Sequence, residues 1–235
     1  MSRFFPLEIK CPACQEPIKF NANASVNADR RPDFRDAIIA GSFQRTSCPK
    51  CAAAFRLDPE LNYLDVGRGQ WIAVYPYAKI NDWQLLEADS REAFDLAYGA
   101  QASEGAQEIG RDLKPRLVFG WSALREKLVV LEKGLDDVEL ELLKMALLRG
   151  MEDPPLKVGH ELRFVDLDAE TGELVFVVLV SKTEDFVEEL RVPRELYDEI
   201  AADQEGWREL RQELQGSYFV DMLKLMIATP AGASK

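Results

Sequence analysis

Four cysteines constrain this sequence more than any other feature, because all of them fall in two Cys-Pro-x-Cys motifs. The motifs occupy residues 11–14 and 48–51, and 33 residues separate them. A Cys-x-x-Cys turn places two sulfurs on one side of a tight knuckle, and two facing knuckles make a closed tetrahedral site that suits Zn²⁺. The sequence therefore predicts one structural zinc ion bound by Cys11, Cys14, Cys48 and Cys51.

Two other uses of these cysteines stay open. A rubredoxin-like iron centre has similar paired knuckles, but here Gln15 and Ala52 follow the knuckles where such loops usually have glycine. The long insert between the motifs, with a strand and a helix of its own, also differs from rubredoxin. Disulfides require an oxidising compartment, for which the sequence gives no sign. Four thiolates and one Zn²⁺ leave a formal charge of −2, which Lys10, Arg45 and Lys50 are near enough to offset.

Charge and hydropathy indicate the compartment and restrict the partners. Residues 1–80 carry eleven Lys and Arg against eight Asp and Glu, whereas residues 81–235 carry eighteen against thirty-three. The acidic part argues against broad binding to nucleic acid or an anionic membrane. We find no apolar leader segment and no stretch near the ~18 apolar residues of a membrane span. We therefore expect a cytoplasmic protein that does not bind membranes.

The pattern of residues predicts an α+β fold. Residues 1–80 read as a β-rich, zinc-ribbon-like unit, with a short strand before the first motif, an alternating strand over residues 18–27 and a hairpin around residues 67–69. Residues 81–150 add helices, including a helical hairpin that turns at Gly134 and has Asp136 as the N-cap of its second helix. Residues 99–112, rich in Gly, Ala, Ser and Gln, are expected to form a loose loop.

A linker at residues 151–159, which contains Pro154 and Pro155, separates a second predicted domain. Residues 151–235 are predicted to form a smaller α+β domain with a hairpin over residues 162–180, a third strand over 186–192 and helices after Pro193. The predicted domains are therefore residues 1–150, divided into the ribbon and its helical part, and residues 151–235.

The two motifs resemble those of the bacterial CpXC domain. The strand between them and the Ile-Ile-Ala-Gly-Ser stretch at residues 38–42 strengthen the resemblance, which continues through residues 124–148, where Gly-Leu-Asp-Asp begins at Gly134. It covers about residues 1–150 and implies a zinc-ribbon-like domain. It supplies no catalytic residues. Residues 151–235 resemble no family.

The remaining candidate residues have ordinary structural interpretations. His160 is the only histidine and stands at the start of a predicted strand, beside Glu161, where a surface position is the simpler reading. An acidic run can bind a cation, but a solvated strand or loop face also accounts for it. A small basic group lies beside the polar strand. The acidic run is Glu184, Asp185, Glu188 and Glu189, and the basic group is Arg30, Arg31 and Arg35.

A closed metal site, one histidine and no nucleotide or nucleophile motif favour a protein that is not an enzyme. The main hypothesis is a cytoplasmic protein-interaction or scaffold subunit with a protein partner or as a homo-oligomer. One alternative is nucleic-acid binding by the ribbon, which requires a single exposed basic face. Another is an enzyme whose site lies in residues 81–235. The basic face would contain Arg30, Arg31, Arg35, Arg45 and Lys50.

Overall fold

The computed structural model describes residues 3–152 and 154–227 and has a mixed α+β fold, which confirms the predicted class. The strands are β1 (Arg3–Lys10), β2 (Pro17–Asn27), β3 (Arg45–Ser47), β4 (Ala54–Arg56), β5 (Leu61–Asp65), β6 (Gln70–Tyr75), β7 (Lys114–Phe119), β8 (His160–Leu167), β9 (Leu174–Val180) and β10 (Phe186–Val192). The helices are α1 (Pro32–Ile39), α2 (Trp83–Tyr98), α3 (Glu104–Asp112), α4 (Gly120–Glu132), α5 (Asp137–Gly150), α6 (Arg194–Ala202), α7 (Arg208–Gln215) and α8 (Leu223–Met226). In this part of the chain, no helix is long and apolar enough to cross a membrane.

The chain divides into two compact units. The first comprises the chain up to Ile80 together with Gln84–Arg125, and the second comprises Asn81–Trp83 with everything from Glu126 onward. The change from one unit to the other therefore falls inside helix α4, and not at the proline-containing segment near residue 154. The division into domains at residue 150 stays a prediction.

The first unit is built on a five-stranded sheet in the order β1-β2-β5-β6-β7. β2 with β5 and β6 with β7 are parallel pairs, and the other neighbours are antiparallel. The alternation of apolar and polar residues in β2 gives it one buried face, with Ile18, Ala22 and Val26 in the core. Asn23 is an exception on the polar side, because it is also buried and its backbone N–H donates to Oε1 of Gln44.

A row of aromatic rings links α1 to the short β3–β4 hairpin that carries the second cysteine motif. The Phe34 ring lies 5.1 Å from that of Phe43, and Phe43 makes an edge contact with Trp121 at 5.8 Å. The Trp121 indole N–H donates to the carbonyl of Leu57 at 2.7 Å, just after β4. The contacts on both sides of β3–β4 therefore fix this hairpin within the first unit.

The expectation of a loose loop over residues 99–112 is wrong, because Glu104–Asp112 forms helix α3. The backbone carbonyl of Ser103 accepts the N–H groups of Ala106 and Gln107. Gly110 is needed for close packing, since a Cβ at this position would lie 2.6 Å from Cβ of Tyr98. Glycine here permits contact between two helices and is not a sign of a flexible loop.

The second unit combines a helical hairpin with a three-stranded sheet in the order β10-β9-β8. As predicted, Gly134 has a positive φ of 69° at the turn between α4 and α5. The Asp136 side chain caps α5 by accepting the N–H groups of Val138 and Glu139. In the sheet, Phe164 and Phe176 pack edge to face across β8 and β9 with 5.6 Å between ring centroids.

Candidate metal centre

Each Cys-Pro-x-Cys motif is the turn of a β hairpin. The first lies between β1 and β2, which are antiparallel, and the second lies between β3 and β4, also antiparallel. Both turns follow one pattern: the N–H of the first cysteine donates to the carbonyl five residues later, and its carbonyl accepts the N–H four residues later. The four bonds are each 2.9 Å long and join Cys11 to Glu16 and Gln15, and Cys48 to Ala53 and Ala52.

The residue after each motif has a left-handed backbone. Gln15 has a φ of 62° and Ala52 a φ of 58°. Glycine takes this conformation readily, whereas other residues do so at a cost of roughly 1 kcal/mol. The tight knuckle therefore forms without glycine, and the rest of the hairpin and the cysteine cluster must hold these two residues in place.

The four sulfurs are arranged as ligands of one small ion. The Sγ atoms of Cys11 and Cys51 are 3.7 Å apart, those of Cys14 and Cys48 are 3.6 Å apart, and all four lie within 4.8 Å of one another. A tetrahedron with metal–sulfur bonds of about 2.3 Å has edges of about 3.8 Å. None of the four cysteines forms a disulfide, and a disulfide would need about 2.05 Å between sulfurs. The donor set thus fits a tetrahedral metal ion.

Backbone N–H groups point at the sulfurs. The N–H of Lys50 donates to Sγ of Cys48 at 3.4 Å. Burial raises the pKa of Cys11, but the N–H groups of Cys14 and Ala13 and the neighbouring sulfurs lower it more, to about 7. These donors favour thiolate, the form in which cysteine binds metals.

The crowding of the four sulfurs affects the pKa of Cys14 most. The N–H of Glu16 lowers its pKa, whereas burial and the sulfurs of Cys51, Cys48 and Cys11 raise it, and the net result is a pKa of about 12. A divalent cation would replace the protons that the sulfurs otherwise share, so binding of the metal and loss of protons are coupled.

The cluster is only partly covered by protein. Cys11 and Cys48 are buried against Ile18, and Ile9 and Phe55 pack against this small core. Cys14 is half-buried and Cys51 is exposed. Four cysteines fill all the positions of a tetrahedral ion, so this arrangement leaves no position for a reacting water molecule. A metal ion bound in this way would hold the two hairpins together, and the exposed side at Cys51 would be accessible to a chelator.

The cations expected to offset the charge of the site have other contacts as well. Nζ of Lys50 lies 2.6 Å from a carboxylate oxygen of Glu16, so this ion pair joins the two knuckles directly. Nε of Arg45 donates to the carbonyl of Gly41. The two knuckles are therefore connected by an ion pair in addition to the cysteine cluster.

The basic residues proposed for nucleic-acid binding are largely occupied. Arg35 is buried, Arg31 forms two hydrogen bonds with the carboxylate of Asp33, and Lys50 pairs with Glu16. These contacts neutralise or bury much of the charge that a phosphate-binding face would need. Arg30 is exposed.

His160 and the acidic run of the second unit are not brought together into a site. His160 starts β8 and is half-buried, while its neighbour Glu161 is buried and binds Arg163 at 2.8 Å. In the acidic run, Asp185 accepts a hydrogen bond from the Thr183 hydroxyl, and Glu189 pairs with Arg191. These contacts serve a turn and a strand surface.

Sequence reasoning missed a group of charged side chains inside the second unit. Five carboxylates and three cations, each less than a tenth exposed, connect α4, α5, β8 and the segment before α8. Arg163 lies at its centre and contacts Glu126 at 2.9 Å, Glu161 at 2.8 Å and Asp221 at 2.6 Å. The eight residues, which we call the buried ion cluster, are Glu126, Lys127, Asp137, Glu141, Lys144, Glu161, Arg163 and Asp221.

Cations of the two helices complete the buried ion cluster. Lys144 bridges Glu126 at 2.6 Å and Glu141 at 2.8 Å. Lys127 lies 3.1 Å from Asp137 and donates to the carbonyl of Val220 at 2.6 Å. The sequence does carry a signal for this cluster, because α5 has apolar residues on all sides. A helix buried all round must pair whatever charges it contains.

Comparison with known proteins identifies the family. A model of the CpXC protein family matches residues 9–144, which is more than half of the chain and includes all four cysteines. The chain therefore belongs to the CpXC protein family. A search of curated proteins and a search of solved structures each found no match.

Proposed function

We propose that this chain is a non-catalytic, cytoplasmic protein-interaction or scaffold subunit whose N-terminal part is organised by one structural Zn²⁺ ion. The observation that carries the proposal is the spacing of four thiols at two hairpin turns, with sulfur–sulfur distances of 3.6 and 3.7 Å where the tetrahedral geometry of zinc requires about 3.8 Å. The ligands would be Cys11, Cys14, Cys48 and Cys51.

Zinc fits this donor set for chemical reasons. It imposes no geometry through its d electrons, accepts four thiolates and has no redox chemistry that would need shielding. Two hairpins with cysteine knuckles at their turns are typical of a zinc ribbon. The ion would contribute folding free energy to the first unit, so the role assigned to it is structural.

Exposed apolar side chains and the distribution of charge support a role in binding other proteins. β1 is an edge strand of its sheet, and Phe4, Phe5 and Leu7 on it are between 37% and 51% exposed. Residues 1–125 have sixteen basic and sixteen acidic side chains, whereas residues 126–235 have thirteen and twenty-five. The entire formal net charge of −12 thus belongs to residues 126–235, which favours a partner with complementary charge.

Nucleic-acid binding receives less support. Arg31, Arg35 and Lys50 are paired or buried in the first unit, and the excess negative charge of the remainder repels phosphate. We therefore keep protein binding as the proposed function, with either a second copy of this chain or another protein as the partner.

Native mass spectrometry combined with elemental analysis of the purified full-length protein tests the proposal. We expect one zinc per chain, and cross-linking in cells of origin should join the chain to itself or to a defined partner. Iron in place of zinc would contradict the metal assignment. A monomer without any cross-linked partner at physiological salt would contradict the interaction role.

A further inference from the structure

An apolar groove runs between helices α5 and α6 of the second unit. Its volume is about 320 Å³, which accommodates a few large side chains. Only one of the residues around it carries a charge. The groove is lined by Leu143, Ala146, Leu147, Gly150, Met151, Leu196, Glu199 and Ile200.

Polar contacts from the middle and the C-terminal half of α6 fix the two walls of the groove. The hydroxyl of the buried Tyr197 accepts the backbone N–H of Asp136 at 2.8 Å, next to the start of α5. Arg211 on α7 binds both carboxylate oxygens of Glu139 on α5 at 2.7 and 2.9 Å. The same guanidinium donates to the carbonyl of Ile200 at 3.1 Å. The groove is thus preformed, which reduces the entropy cost of binding.

Two small residues of α5 form the floor of the groove and leave space above it. Ala146 and Gly150 stand one helical turn apart on α5. A Cβ added at Gly150 would meet nothing within 4 Å. On the facing wall, the apolar side chain of Leu196 is 38% exposed. The groove therefore has space for side chains of a partner. Binding of those side chains would also cover its exposed apolar surface.

Carboxylates stand along one rim of the groove. Glu195 and Glu199 lie one turn apart on α6, and both are exposed. In the part of the chain that the structure describes, neither carboxylate has a hydrogen-bond or ion-pair partner. Together with the net charge of −12 on residues 126–235, they favour a partner that is basic. They also disfavour a second copy of this acidic unit as the occupant.

We propose that the α5–α6 groove binds a basic amphipathic helix of a partner protein. Leucine-like side chains spaced three and four residues apart would enter the groove above Ala146 and Gly150, and lysine or arginine beside them would meet Glu195 and Glu199. This inference rests on the proposed interaction function and names the surface and the chemical class of the partner.

The test uses the full-length protein and a fluorescent model peptide of leucine and lysine, about four helical turns long, with leucine on one face. Binding is followed by anisotropy, and the affected residues are mapped by ¹H–¹⁵N chemical shifts. We expect Gly150→Leu to fill the groove and weaken binding by about tenfold or more. Gly105→Leu on α3, where an added Cβ also meets nothing within 4 Å, is the matched control and should bind as the wild type does.

A second variant guards against misfolding of the first. The double change Glu195→Lys and Glu199→Lys keeps the groove open and should also weaken binding of the peptide by about tenfold or more. A peptide with glutamate in place of lysine should bind the wild type much more weakly. Chemical shift changes should be concentrated on α5 and α6.

The proposal is overturned if Gly150→Leu and Gly105→Leu bind the peptide equally, or if the peptide does not bind the wild type at all. It is equally overturned if Gly150→Leu converts a dimer of this chain into a monomer, since the occupant would then be a second copy. These outcomes leave the interaction function itself standing, because native cross-linking judges that function without reference to the groove.

Discussion

In the first unit, polar chemistry is concentrated in four thiols at two hairpin turns, whereas in the second unit it is spread over eight charged side chains from four elements. Burial and the neighbouring sulfurs raise the pKa of Cys14, so a bound cation would favour its thiolate form. The buried ion cluster supplies its own cations, with Arg163 and Lys144 each touching at least two carboxylates. The first unit thus offers ligands to an added ion, whereas the cations of the buried ion cluster are side chains of the chain itself, three against five carboxylates.

The comparison also shows which kind of polar site depends on local sequence. Each cysteine motif forms within one hairpin turn, so its two cysteines come together locally. The meeting of the two turns, which brings Cys11 to Cys51 across 40 residues, still depends on the fold. In the buried ion cluster, Arg163 meets Glu126 and Asp221, which are 37 and 58 residues away. Such partners are defined only after helices and strands have packed.

Removal of the metal should have the largest effect and should separate the two units. Metal binding is folding free energy in small metal sites, of order 10 kcal/mol in isolated fingers. We therefore expect a strong chelator, or Cys11→Ser, to unfold the β1–β4 region, while the β8–β9 hairpin keeps its protection. Hydrogen exchange read by mass spectrometry resolves the two regions, and restored zinc is the control for the chelated wild type. An unchanged melting curve after verified metal loss would refute the idea that the first unit depends on a metal.

Loss of the central cation of the buried ion cluster should destabilise the second unit and leave the first unit unaffected. Arg163→Met would leave the carboxylates of Glu126, Glu161 and Asp221 without their shared partner in the interior. Breaking a buried pair from one side costs about 3–5 kcal/mol. Chemical denaturation should show this loss for the second unit, with zinc content unchanged.

The matched control for that change is Arg191→Met on β10. Arg191 also contacts three carboxylates, but it is 45% exposed, so its loss should cost about 1 kcal/mol or less. Equal losses for the two variants would show that burial does not distinguish these ion clusters.

These contrasts explain how much could be predicted from the sequence. The four cysteines could be grouped as one candidate metal site because each motif coincides with a tight turn, and the structure does bring their sulfurs within 4.8 Å of one another. Helix α3 was missed because the Gly, Ala, Ser and Gln content of residues 99–112 is typical of a loop, whereas Gly110 in fact allows close packing against Tyr98. The buried ion cluster was missed because Glu141 and Lys144 look like exposed helix residues until the part of α5 up to Met145 is seen to be buried.

A pH titration should sharpen the comparison further. Burial raises the pKa of Glu141 to about 7, and Asp221 and Glu126 raise it as well, although Lys144 and Lys127 act against them. The folded pKa exceeds the ordinary value of 4.5, so the folded state binds a proton that the unfolded state has released between about pH 4.5 and 7. This group's contribution to stability therefore falls as pH rises through that window.

We expect the second unit to lose roughly 1–3 kcal/mol between pH 5 and pH 8 from this group alone. Glu141→Gln, which keeps the shape of the side chain and removes its charge, should flatten the dependence. Denaturation at a series of pH values measures it. The carboxylates with lowered pKa values, Glu126 and Asp221, act below this window. A slope that is unchanged in Glu141→Gln would assign the proton to another group.

The smallest expected effect concerns the knuckles themselves. Ala52 has a φ of 58° after the second motif, so Ala52→Gly should relieve backbone strain and stabilise the zinc-bound protein by about 0.5–1 kcal/mol. Ala13→Gly in the first motif makes the same chemical change where φ is negative, and it should destabilise the protein slightly because glycine loses more backbone entropy on folding. Thermal melting with zinc present compares the two. If both changes destabilise the protein equally, the left-handed residue is not strained, and the absence of glycine after the knuckles carries no cost.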